Sequence, residues 1–162
     1  MFKNLFKKSQ EQIIYAPLNG DIIPLEEVPD PVFNQKMMGE GIAIIPSDGK
    51  LVSPVNGKVV QIPDTKHAIG LIADDGTEIL IHVGLETVAL NGEGFNVKVA
   101  TDDAVKAGDA LMDIDLAYIQ EHASSTVTPI IITNNQDGSK KLSFTDETKS
   151  TAQETVLITV TS

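Results

Sequence analysis

Cysteine, arginine and tryptophan are all missing from the 162 residues of this chain. The lack of cysteine excludes disulfides, thiolate nucleophiles and cysteine-ligated zinc, and fits a reducing compartment. The lack of arginine removes the planar fork that grips phosphate or carboxylate through two parallel bonds, so all 12 basic residues are lysines. Aromatic residues make up only 4% of the chain, which leaves Val, Ile and Leu to fill the interior. No apolar run reaches the ~18 residues of a membrane-spanning helix, and the N-terminus has no apolar stretch of the secretory-signal kind. A soluble cytoplasmic protein is therefore expected. With a formal net charge of -11, nucleic acid is not an expected partner, because its phosphates would be repelled.

Hydrophobic residues make up 41% of the chain, too many for a disordered protein. The length suits one domain with a real core. Turn-prone pairs recur beside short apolar runs at Asn19-Gly20, Asp48-Gly49, Asn56-Gly57, Asp75-Gly76, Asn91-Gly92 and Asp137-Gly138. Such spacing predicts an all-β fold, an antiparallel sandwich or barrel of the hybrid-motif type with one or two short helices. An internal echo relates Ala16–Ile23 to Ser53–Val60, each with a proline, an apolar residue, an Asn-Gly pair and a strand-like start. A helix is predicted from Leu116 to Ala123 with Asp115 as its N-cap. Thr126–Thr133 and Thr155–Thr161 read as closing strands. Residues 1–12 stand apart from the domain expected over 13–162. There Phe2, Leu5 and Phe6 share a helical face beside Lys3, Lys7 and Lys8. That pattern fits either a frayed terminus or a basic segment, residues 1–8, touching an anionic membrane surface.

The chemistry-bearing segment runs from Thr65 to Gly84 and contains two of the three histidines, His67 and His82. If Asp75-Gly76 is a two-residue hairpin turn, Leu71 opposes Leu80 and Ile69 opposes His82. His67 is then a diagonal neighbour of His82 on the same face, at ~7–8 Å between backbone positions. In that register Ile72, Ile79, Ile81 and Val83 face the core, and Ile69, Leu71 and Leu80 surround His82. A three-residue loop would send the two histidines to opposite faces. Imidazole accepts phosphoryl groups near neutral pH because its lone pair is then free, and a second imidazole can steady the oxygens. Spacing alone leaves a functional pair and a chance pair equally open.

The run Gly76-Thr77-Glu78-Ile79-Leu80-Ile81-His82-Val83-Gly84-Leu85-Glu86-Thr87-Val88 closely resembles the phosphorylation-site signature of the glucose-type enzyme IIA family of the bacterial sugar phosphotransferase system. Ala89–Phe95, Val28–Phe33, Gly39–Ile44, Ser53–Gly57, Thr65–Ala68 and Ser125–Pro129 are similar to further family segments, in family order from about Ile14 to Asn134. The resemblance implies an antiparallel β-sandwich that accepts a phosphoryl group from the histidine phosphocarrier protein HPr and donates it to the IIB domain of a sugar permease. It makes His82 the phosphorylated residue, His67 its supporting neighbour and Thr65 a hydrogen-bonding partner within the site. Gly84 would offer a backbone carbonyl that orients His82. Asp30 and Glu86 match the acidic pair that meets basic HPr, and Phe33, Ile69, Leu80 and Val88 are the apolar docking residues expected beside them. In relatives the Glu86 position is commonly Asp, and some carry aromatics at Leu80 and Pro63. No cofactor is required, although zinc could bind adventitiously between His67 and His82. A monomer is expected, since donor and acceptor must both reach His82.

Two other classes compete. A zinc hydrolase would need a third ligand besides His67 and His82, and the remaining histidine, His122, falls on the expected helix without a close ligand motif. A biotinyl- or lipoyl-type carrier is prompted by Pro54-Val55-Asn56-Gly57 and Ala107-Gly108-Asp109, but Lys36 before Met37-Met38 lacks the arrangement such carriers use.

Overall fold

The computed structural model describes residues 10–162. Residues 1–9, which hold the Phe/Lys pattern, lie outside the described residues. Fourteen strands follow in order: β1 (Glu11–Tyr15), β2 (Gly20–Pro24), β3 (Glu40–Pro46), β4 (Lys50–Val52), β5 (Gly57–Gln61), β6 (Ala68–Ala73), β7 (Glu78–His82), β8 (Phe95–Val97), β9 (Ala104–Val105), β10 (Ala110–Ile114), β11 (Thr128–Ile132), β12 (Lys141–Phe144), β13 (Lys149–Ser150) and β14 (Val156–Thr161). Two short helices join them, α1 (Pro31–Asn34) and α2 (Leu116–His122). All pairings are antiparallel. The strands form an eight-stranded sheet in the order β13-β2-β3-β11-β7-β6-β5-β9 and two three-stranded sheets, β1-β14-β12 and β4-β10-β8.

Period-2 patterning sends alternate residues of the large sheet to opposite faces. Ile22, Ile42, Ile44, Val59, Ile69, Leu71, Ile79, Ile81, Ile130 and Ile132 enter the main core, which the small sheets complete with Ile14, Leu111 and Leu157. On the other face Ala43 and Ile131 meet Leu25, Val28, Phe33, Leu85 and Val127 in a smaller apolar cluster. That second cluster covers only part of the face. Where it ends, the histidines begin.

The predicted helix matches α2, and the Asp115 side chain accepts from the Tyr118 N–H at 3.1 Å as its cap. Three expectations need correction. The boundary after residue 12 falls too late, because Glu11 and Gln12 already pair with Thr161 and Val160 in β1. Thr128–Ile132 does not close a sheet: β11 lies between β3 and β7, and all five of its residues are buried. The β6–β7 hairpin has a three-residue loop, Asp74-Asp75-Gly76, that shifts the register by one. Ala68 opposes His82, Gly70 opposes Leu80 and Leu71 opposes Ile79. Ala73 closes the loop by accepting from the Gly76 N–H at 2.9 Å and donating to the Thr77 carbonyl at 2.8 Å, with Gly76 at φ 92. This is a tight turn followed by a left-handed residue, the usual three-residue hairpin geometry. Ile69 and Leu71 therefore turn into the main core, while Ile72 faces away from it.

The internal echo corresponds to matched strand starts. Gly20 opens β2 and Gly57 opens β5, each so close to the neighbouring strand that a Cβ would lie 2.1 Å from the Ile45 carbonyl oxygen or 2.0 Å from that of Ile72. The two segments lie alongside each other, with Tyr15 donating to the Pro54 carbonyl and Val52 to that of Pro17, both at 3.0 Å.

Candidate functional site

His82 ends β7 on the face left open by the smaller cluster and is half-buried. Its Nδ1 lies 2.9 Å from the Gly84 carbonyl oxygen. A carbonyl can only accept, so Nδ1 carries the proton and the lone pair sits on Nε2. Gly84 has φ 76, and a Cβ there would lie 2.8 Å from Thr87 Cγ2 and 2.9 Å from the Ser125 carbonyl oxygen. Any residue has a carbonyl, but this conformation and this space admit glycine alone.

The two imidazoles meet despite the register shift. Their ring centroids are 4.8 Å apart at an interplanar angle of 72°. His67 precedes β6, so strict strand alternation does not govern it. The chain arrives through a turn in which Lys66 donates to the Pro63 carbonyl at 2.9 Å and takes φ 58. Thr65 Oγ1 then holds His67 Nδ1 at 2.7 Å. Phe33 also packs on His82, with centroids 5.0 Å apart.

Burial sets the protonation of both rings. It pushes the His67 pKa down to about 4, and the charge of a protonated His82 would push in the same direction. Burial also lowers the pKa of His82, while the Gly84 carbonyl and the negative charge of Asp30 work against it. Both rings are neutral at pH 7, which leaves Nε2 of His82 a free nucleophilic lone pair.

The pair lies in a depression of about 480 Å³. Ala68 and Gly70 of β6 line it beside Leu80, Phe33, Met38, Gln61 and Pro63, while Asp30, Val32, Glu86 and Val88 also border it. Val32 and Val88 are 39% and 53% exposed, apolar side chains presented to solvent. Asp30 caps α1 by accepting from the Val32 N–H at 2.9 Å, and Glu86 takes the left-handed conformation at φ 59. Of the expected docking residues, Asp30, Phe33, Leu80, Glu86 and Val88 border this depression. Ile69 does not: its side chain is 0% exposed in the main core, on the far side of the sheet. Ala68, Gly70, Val32, Met38 and Gln61 were not expected. The small residues Ala68 and Gly70, alternating with Ile69 and Leu71, carry the signal that a correct register would have exposed.

Nothing supports a zinc hydrolase. Among the described residues no group of three or more potential ligands is placed to hold a metal. His122 instead stacks on Tyr118 with centroids 4.1 Å apart, and its Nδ1 lies 3.1 Å from the Tyr118 carbonyl oxygen. Lys36 is no hairpin-tip lysine either: it pairs with Glu26 at 2.8 Å and Glu40 at 3.1 Å. No helix among the described residues is long and apolar enough to cross a membrane.

Residues 12–138 match the family described as phosphoenolpyruvate-dependent sugar phosphotransferase system, EIIA 1. The glucose-specific EIIA component of Bacillus cereus is 52% identical over 164 residues, covering 99% of both chains. The glucose-specific EIICBA component of Staphylococcus saprophyticus is 56% identical over 151 residues, covering 93% of this chain and 22% of that much longer one. Among solved structures, glucose permease IIA from Mycoplasma capricolum superposes with a TM-score of 0.82 at 38% identity, covering 95% of this chain and 97% of that chain. The chain belongs to the EIIA 1 family. Its role is that of a phosphocarrier in the sugar phosphotransferase system, transferring phosphoryl groups between proteins.

Proposed function

We propose that Nε2 of His82 accepts the phosphoryl group from phospho-HPr and passes it to the IIB domain of a sugar permease, with glucose the transported sugar. The observation that carries the assignment is the bond from His82 Nδ1 to the Gly84 carbonyl, which leaves Nε2 as the free acceptor in a ring kept neutral by burial. The N–P bond of the donor breaks as the new N–P bond forms at Nε2, through a loose transition state that asks for alignment and charge stabilisation. Positive charge grows on the ring during attack. The Gly84 carbonyl and Asp30, the influences that favour the protonated ring, stabilise that charge too.

With the Thr65 hydroxyl donating to its Nδ1, His67 keeps a proton on Nε2 and offers it to the phosphoryl oxygens. Asp30 and Glu86 draw a basic partner to the depression, and the exposed Val32 and Val88 meet its apolar surface. The designation of the relatives as glucose-specific supports the choice of sugar. The EIICBA relative, whose name joins A and B components in one protein, supports IIB as acceptor. Zinc plays no part in these steps. Among the described residues no third ligand joins the two imidazoles, so an adventitious ion there would take its remaining donors from solvent or a partner. A monomer leaves His82 open to donor and acceptor in turn, and binding to anionic vesicles with and without residues 1–8 would decide between a membrane-touching segment and a frayed terminus.

The decisive experiment incubates the protein with phosphoenolpyruvate, enzyme I and HPr and measures acid-labile phosphate. Wild type should take label and His82→Ala none. His67→Ala should take label but fail to pass it to a IIB acceptor. An unlabelled wild type in the presence of competent HPr would overturn the assignment.

A further inference from the structure

The loop after His82 contains a hydroxyl with no direct part in phosphoryl transfer. Thr87 is 0% exposed, and its Oγ1 donates to the Val83 carbonyl at 2.8 Å. This bond closes residues 83–87 into a ring of chain. Gly84, whose carbonyl holds His82 Nδ1, lies inside that ring. The Thr87 methyl packs against Gly84 from behind, since Cγ2 lies 2.8 Å from where a glycine Cβ would stand. Across the loop, Leu85 donates to the Ser125 carbonyl at 2.9 Å, which fixes the opposite side. The Thr87 carbonyl then accepts from the Leu90 N–H at 3.1 Å, starting the 3-10 turn Val88–Leu90.

Two left-handed residues, Gly84 at φ 76 and Glu86 at φ 59, are thus held within five positions. Nothing in the propensity of Glu favours that conformation, so the loop depends on its bonds to keep it. A buried hydroxyl bonded to a buried carbonyl is also costly to remove, because the carbonyl is left without a partner. The Thr87 hydroxyl ties down the loop that carries the Gly84 carbonyl, the group that decides which nitrogen of His82 is free.

We infer that Thr87 is a positioning residue for the phosphoryl-transfer reaction: through Val83 and Gly84 it fixes the tautomer of His82, and through Glu86 it aims the acidic rim at the incoming partner. The inference rests on His82 being the acceptor. It differs from a general stabilising role in predicting a change at the imidazole itself. Thr87→Val keeps the shape and deletes the donor. Thr87→Ser keeps the donor and deletes the methyl. Thr87→Cys lacks the methyl as Ser does but has a much weaker donor, and so provides the same contrast where the valine variant does not fold.

The test records the ring-nitrogen NMR shifts of His82 and, separately, the rate of phosphoryl acceptance at saturating phospho-HPr. Wild type and Thr87→Ser should show a protonated Nδ1 and rates within about twofold of each other. Thr87→Val and Thr87→Cys should show a mixed tautomer and a rate lower by about tenfold. Ser150→Ala, which deletes a buried hydroxyl bonded to the Leu18 carbonyl at 2.8 Å far from the loop, should leave the His82 shifts unchanged. A folded Thr87→Val or Thr87→Cys protein with wild-type nitrogen shifts and rate would overturn the role of Thr87 while leaving His82 as acceptor. An unlabelled wild type would instead overturn the assignment of His82.

Discussion

His82 and His122 use their ring nitrogens in much the same way. Each places Nδ1 against a backbone carbonyl, at 2.9 Å for His82 and 3.1 Å for His122, and each packs on an aromatic ring. Their settings differ. His122 bonds to the residue four positions back in its own short helix and is exposed on the surface. His82 bonds forward into a glycine loop, sits half-buried at the end of a central strand and faces a second imidazole. A fixed tautomer is therefore common to both and cannot distinguish a nucleophile. What sets the proposed nucleophile apart is its desolvation, its place on a rigid sheet and the second imidazole beside it.

The sharpest way to break the comparison is to exchange the losses. His82→Ala should abolish labelling from phospho-HPr, and His122→Ala should retain it within about twofold, both read as acid-labile phosphate. Label lost in the His122 variant would dissolve the contrast. Next in size is Gly84→Ala. The strained φ and the close contacts with Thr87 and Ser125 should cost about 2–4 kcal/mol in a denaturant titration, with labelling reduced at least about tenfold. Stability equal to wild type would show that the loop tolerates a side chain.

The pH dependence gives a smaller effect with a definite sign. Both site histidines have folded pKa values below the ordinary 6.5, about 4 for His67. At these two rings the unfolded chain therefore binds more protons than the folded one between about pH 6.5 and 4, so their contribution to stability falls as pH drops through that window. The loss should be roughly 1–3 kcal/mol, and His67→Gln should flatten it. An unchanged slope in that variant would place the proton uptake elsewhere. The smallest effect is expected for His122→Ala in thermal unfolding, about 0.5 kcal/mol or less, as for an exposed residue outside the core.

Much of this organisation was legible from residue pattern. The Asp-Gly pair at 75–76 marks a real hairpin, and the apolar alternation of Ile79, Ile81 and Val83 points into the core as read. Asp115 caps α2, and the run around His82 identified the family. The register failed because Asp75 spends its carboxylate on the Thr77 N–H at 2.9 Å, which favours the loop of three over the loop of two. A single-residue slip then exchanged Ile69 and Leu71 for Ala68 and Gly70 on the site face. The histidines still meet because Lys66 takes a left-handed turn that no local motif announces. Nor does sequence order reveal that β11 separates β3 from β7, since strand adjacency depends on long-range pairing.

That placement of β11 has a consequence for synthesis. When the ribosome has made both histidines, β7 has only β6 to pair with on one side, and its other edge waits for residues 128–132. A nascent chain halted before Thr128 carries every side chain proposed for the chemistry but not the strand that flanks β7. Nonlocal pairing of this kind folds late and slowly. Competence to accept phosphate should therefore arise in one step as β11 inserts, with the half-made chain inert toward its donor.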